Sequence, residues 1–142
     1  MEMLAQLREK LPEFEGAGVR VACIVQGTPQ EAEQLCGRHG MAEHCLGDPG
    51  KSSYRAMGFP KIRWRDILLP SADLRRRRQE AGAAGCGISV AGSLMKHSDV
   101  LQLGGAALIA PGGQVRWIHR SAHPGDLPRA AELLDVARRL GR

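Results

Sequence analysis

Val19-Arg20-Val21-Ala22-Cys23-Ile24-Val25, followed three residues on by Thr28-Pro29-Gln30-Glu31, is the stretch that decides the fold. The first part is a short, β-branched, nearly continuous apolar run, the pattern of a strand covered on both faces of a parallel sheet. The second is a helix start. Thr28 can cap, Pro29 suits the first helical position, and Glu31 closes a capping box. That helix carries Ala32, Leu35 and Cys36 on one face and is expected to stop near Gly40. Upstream, Leu4, Leu7, Leu11 and Phe14 recur at three- and four-residue steps beside Arg8, Glu9, Lys10 and Glu13, which predicts an amphipathic helix closed by Gly16 and Gly18. Downstream, Met41 to Leu46 reads as a short extended piece. Asp48-Pro49 reads as a second cap-plus-proline start, for a helix that buries Tyr54 and Met57 and ends at Gly58.

From Lys61 to about Val100 the pattern weakens. Ile62, Ile67, Leu68 and Leu69 around Trp64 suggest a short helix, Ser71 can cap an arginine-rich one, and Ala81 to Gly92 reads as a mobile glycine-rich loop. Order returns with Ala106 to Ala110, a Pro111-Gly112-Gly113 turn and Val115 to His119, which together predict an antiparallel hairpin. A last helix from about Asp126 to Leu140 would pack Leu127, Ala130, Ala131, Leu134 and Ala137. The order is helix, strand, helix, short strand, helix, helical insert over about 61–100, hairpin, helix. It is the layout of a thioredoxin-like α/β sandwich with a mixed central sheet, without its opening strand. One domain over residues 1–142 is expected.

Composition narrows the function classes. Of 142 residues, 43% are hydrophobic and 25% charged, with a net charge of +5, ordinary values for a globular domain. Part of the excess sits in Arg75 to Arg78, where a solvated helix face is a better reading than a nucleic-acid footprint, because no aromatic stacking platform accompanies it. No apolar stretch approaches the roughly 20 residues of a membrane span, and no signal-peptide pattern opens the chain. A cytoplasmic protein with no nucleic-acid or membrane partner is expected. The four cysteines, Cys23, Cys36, Cys45 and Cys86, form no Cys-x-x-Cys pair, and in that compartment reduced thiols are expected.

LAQLREKLPEFEGAGVRV, QGTPQEAEQLCGRHG, GDPGKSSYRAMGF and LQLGGAALIAPGGQVRWIHR, in that order and followed by the final helix, together resemble the peroxiredoxin-like branch of the alkyl hydroperoxide reductase and thiol-specific antioxidant family. The resemblance spans nearly the whole chain. It implies a thioredoxin-like fold, reduction of hydroperoxides by a cysteine thiolate, a hydroperoxide substrate and a thiol reductant. In that family a first strand leads to a Cys-x-x-Cys turn at a helix N-terminus, where the dipole lowers a thiol pKa. Here the first helix begins at about Met1 to Leu4 and no cysteine precedes Cys23. The motif is therefore carried over to no residue of this chain, and little or no hydroperoxide reductase activity is expected. The alternative is a non-catalytic thioredoxin-like binding or dimerisation module, with homodimers formed through open strand edges. Leu103-Gly104-Gly105 stands where thioredoxins carry a cis-proline, which disfavours disulfide exchange with protein substrates.

Among the remaining residues, Cys23 reads as a buried mid-strand hydrophobe and Cys36 as part of an apolar helix face. Cys45 ends a short strand just before a helix start, the edge that carries ligands in open α/β folds, and is a candidate thiol with His44 as a possible base. Cys86, in the glycine-rich loop, is the second candidate thiol. His119, His123 and His39 read as surface histidines, with no ligand set for a metal. No cofactor is implied: Gly104-Gly105 and Pro111-Gly112-Gly113 lack the helix start and Lys-Ser/Thr of a phosphate loop.

Overall fold

The structure is a computed structural model that describes residues 2–62 and 101–141. The expected helical insert, the Arg75 to Arg78 run and Cys86 lie outside the described residues.

Helix α1 spans Glu2–Gly16 and buries Leu7 and Phe14, with Leu4 and Leu11 packed on the same core. Its end is built as the glycines foretell. Gly18 takes φ +74°, the Val19 N–H donates to the Phe14 carbonyl at 2.9 Å, and the Gly18 N–H to that of Glu15 at 2.8 Å. This closure satisfies carbonyls that the last turn leaves without partners.

Strand β1, Cys23–Val25, pairs in parallel with β2, Cys45–Gly47, in the register Cys23↔Cys45, Ile24↔Leu46, Val25↔Gly47. The ladder is shorter than the apolar run predicts and is not covered on both faces. Ile24 is 39% and Leu46 57% exposed, while their neighbours Cys23, Val25 and Cys45 pack against the core. Side chains alternate across a strand, so one face of this pair is buried and the other open.

Between them, α2 spans Pro29–Gly37, with the full capping box formed. Glu31 N–H donates to Thr28 Oγ1 at 3.2 Å, and Thr28 N–H to the Glu31 carboxylate at 2.8 Å. Ala32 and Cys36 are buried. The segment expected to be extended, Met41 to Leu46, first makes a 3-10 turn over Ala42–His44 and only then enters β2. Helix α3 spans Ser52–Ala56, so the Asp48-Pro49 start is displaced. Lys51 stands at the cap position in a left-handed conformation, φ 54°, and Asp48 acts from further back through its side chain. Tyr54 is buried as expected, and its hydroxyl donates to the Ile24 carbonyl at 3.1 Å, tying α3 to β1.

Strands β3, Gly105–Ile109, and β4, Val115–Arg120, form the antiparallel hairpin, with a register shift between Leu108 and Ile109. Gly113 supplies φ +83° in the turn, and the Ala110 N–H donates to the Gln114 carbonyl at 2.8 Å. Gly105 has a packing reason to be glycine. A Cβ there would meet the His119 carbonyl oxygen and the Phe59 ring. Helix α4, Ala130–Leu140, starts later than expected, after Pro128. It buries Ala130, Leu134, Val136 and Ala137; Leu127 and Ala131, expected in the core, are exposed. Among the described residues β1–β2 and β3–β4 are separate two-stranded sheets. The core lies between α1 and α4 and runs to Cys36 and Met41 beneath β1–β2.

Candidate functional site

Two of the cysteines converge, and not as reduced thiols. Cys36 Sγ and Cys45 Sγ are joined in a disulfide, with their Cα atoms 6.4 Å apart and a sequence separation of nine. Cys45 is therefore not the free candidate thiol expected, nor does it end its strand, because the 3-10 turn before it makes it the first residue of β2; Cys36 is more than a packing residue. The physical cause is a tight reversal after α2. The N–H groups of His39 and Met41 both donate to the Cys36 carbonyl at 2.9 Å, and Gly40 turns the chain with φ +67°. Met41, fully buried, pins the reversal to the core, and the 3-10 turn delivers Cys45 to β2 beside β1. These steps bring the two sulfurs together at the bottom of the parallel pair. Cys36 is 1% exposed; Cys45 is partly exposed.

Cys23 is the free cysteine among the described residues and is partly buried. Burial pushes its thiol above the ordinary range, because a thiolate there would lose hydration. His44 cannot act through both ring nitrogens on Cys45. Its Nδ1 lies 3.1 Å from the Val21 carbonyl oxygen, to which it can only donate, so this nitrogen holds a proton rather than taking one.

Past Cys45, Asp48 caps the start of α3. Its carboxylate accepts from the Ser53 N–H at 2.8 Å, the Ser53 hydroxyl at 2.5 Å, and the Ser52 N–H and hydroxyl at 3.1 Å each. These bonds, that of the Ser53 hydroxyl foremost, hold its pKa down at about 2. Nearby Tyr54 is pushed up to about 12, chiefly by burial and then by the Asp48 charge. Ionised Asp48 opposes further negative charge at this edge of the sheet.

The other candidates do not join this cluster. His119 Nε2 donates to the Asp126 carbonyl at 2.9 Å, and the Ser121 hydroxyl donates to the same oxygen at 2.7 Å, which anchors the loop after β4. Among the described residues no three His, Cys, Asp or Glu side chains are grouped to hold a metal ion. Nor does any described helix have the length and apolarity to cross a membrane. The feature that sequence reading missed is the pairing of Cys36 with Cys45. Its sequence signal is Gly40 after the helix, which permits the chain to double back between the two cysteines.

An α/β chain with a parallel β–α–β unit, an antiparallel hairpin and a closing helix defines the class: a thioredoxin-like protein. A model of the AhpC/TSA antioxidant enzyme family matches residues 6–123, from the first turns of α1 to just beyond β4. The chain belongs to that family. No curated protein matches it, and no solved structure does.

Proposed function

We propose that the chain is an antioxidant thiol protein that takes up oxidising equivalents from hydroperoxides, with Cys45 as the attacking sulfur and Cys36 as the resolving one. The observation that carries this reading is the Cys36–Cys45 disulfide inside a family-matched β–α–β unit. In the reduced chain the Cys45 thiolate attacks the distal peroxide oxygen, the O–O bond breaks, and an alcohol leaves with one proton. The resulting sulfenic acid condenses with the Cys36 thiol, releasing water and forming the disulfide. Two thiols of an external reductant then restore both cysteines and are themselves oxidised to a disulfide. Cys45 is the attacker because it is the more exposed of the two.

The geometry argues for slow turnover. Cys36 is 1% exposed, and a thiol buried in apolar surroundings stays protonated and reacts slowly. The test is consumption of hydrogen peroxide and an organic hydroperoxide by the reduced chain with dithiothreitol. Turnover above background that Cys45→Ser abolishes, and Cys86→Ser leaves intact, is the expected result. Equal rates in the chain and in Cys45→Ser would refute it.

The burial of Cys36 favours a second reading, a non-catalytic thioredoxin-like binding or dimerisation module whose disulfide is a staple. That reading expects no thiol-dependent turnover at all and unchanged partner binding when Cys45 is replaced.

A further inference from the structure

Cys23 is the direct register partner of Cys45 in the parallel β1–β2 pair. Residues in direct register on neighbouring strands point to the same face, with strands about 4.7–4.9 Å apart. That spacing falls within the roughly 4.4–6.8 Å over which a disulfide spans two Cα atoms. Cys23 and Cys45 both pack against the core cluster that contains Cys36. Cys45 thus stands between two possible partners, one on α2 and one on β1, while Cys23 keeps its thiol.

We propose that Cys23, Cys36 and Cys45 form a three-cysteine exchange site in which the disulfide migrates from Cys36–Cys45 to Cys23–Cys45. The Cys23 thiolate attacks Cys45 Sγ, the new S–S bond forms, and Cys36 Sγ leaves with the electron pair of the old one. Cys36 takes up one proton for the one that Cys23 gave away. The step needs no outside oxidant or reductant. Its product leaves Cys36 as a neutral thiol in an apolar core, the form that burial favours. The exchanged bond lies between two partly exposed residues, where an external thiol reaches it more readily than at Cys36. Migration also unties the C-terminal end of α2 from β2 and ties the two strands instead. Because the Cys23 thiol is held protonated by burial, exchange is slow, on the minutes-to-hours scale of uncatalysed rearrangement.

The inference deepens the reading above, which supplies the oxidising equivalents, but its readout is independent of turnover. The oxidised Cys86→Ser chain is incubated, free thiols are alkylated after an acid quench, and the protein is digested with trypsin and a Glu-specific protease. Cleavage at Glu31 and Glu33 separates Cys23 from Cys36, and cleavage at Arg38 isolates Cys45 from both. Mass spectrometry is expected to find Cys36–Cys45 as the major linkage and Cys23–Cys45 as a minor one of about 1–10%, each with the third cysteine alkylated. In Cys23→Ser the minor linkage disappears. Quantitative alkylation of Cys23 in the unsubstituted cysteine trio, with no Cys23–Cys45 peptide after a day, overturns the inference. That map needs no core substitution, so a misfolded variant cannot mimic the result. Both linkages in a chain without peroxide turnover would uphold the exchange site and sink the peroxidase reading. Turnover without the second linkage would do the reverse.

Discussion

Reducing the Cys36–Cys45 disulfide is expected to destabilise the chain by about 2.6 kcal/mol. The bond closes a loop with a sequence separation of nine residues, and closing a loop of that length removes about 8.7 cal/mol/K from the unfolded ensemble. At room temperature this is the quoted free energy. For 142 residues the unfolding entropy is about 300 cal/mol/K, so the melting temperature should fall by about 9 °C. The assay is urea unfolding followed by far-UV circular dichroism, with the oxidised chain beside one fully reduced by dithiothreitol. A thiol count in denaturant, on Cys86→Ser, accompanies it. One titratable thiol before reduction, from Cys23, and three after it are expected. Three thiols before reduction, or stabilities within about 0.5 kcal/mol of each other, would refute the argument that this bond constrains the unfolded chain.

Gly47→Ala should cost about 1–3 kcal/mol, because a Cβ there would sit 2.5 Å from the Thr28 carbonyl carbon and 2.6 Å from the Gly27 oxygen and the Pro29 nitrogen. Every one of those atoms is backbone at the start of α2, and an unchanged urea midpoint would contradict the close approach. Asp48 contributes stability that depends on pH. Its folded pKa of about 2 lies below its ordinary value of 3.8, so its contribution is fully present above the ordinary value and is lost as pH falls through the folded one. Asp48→Asn should flatten the fall in urea midpoint across that window, and a parallel fall in both proteins would count against the cap.

Short-range features were legible in the residues because their causes are short-range. The three-residue spacing from Thr28 to Glu31 contains the whole capping box. Leu7 and Phe14 mark the buried stripe of α1, Gly18 its left-handed end, and Pro111 to Gly113 the hairpin reversal. Where a chemical group acts over a longer reach, the boundaries moved. Asp48 caps through its side chain four and five residues on, so α3 starts at Ser52 rather than at Pro49.

By itself the sequence determined the family, the order of the described helices and strands, the capping box at Thr28 and the glycine turns. The elements, the cap and the turns follow from hydrophobic period, backbone freedom and side-chain donors within a few residues, and the family from the resemblance of whole segments. Tertiary structure alone decided what the cysteines are. Their spacing is compatible with three free thiols in a reducing compartment. Only the packing of Met41, the reversal at Gly40 and the parallel register of β1 with β2 bring Cys36, Cys45 and Cys23 onto one face of the core. A disulfide requires two sulfurs at one place, and place is set by contacts between segments that the local pattern of neither one records.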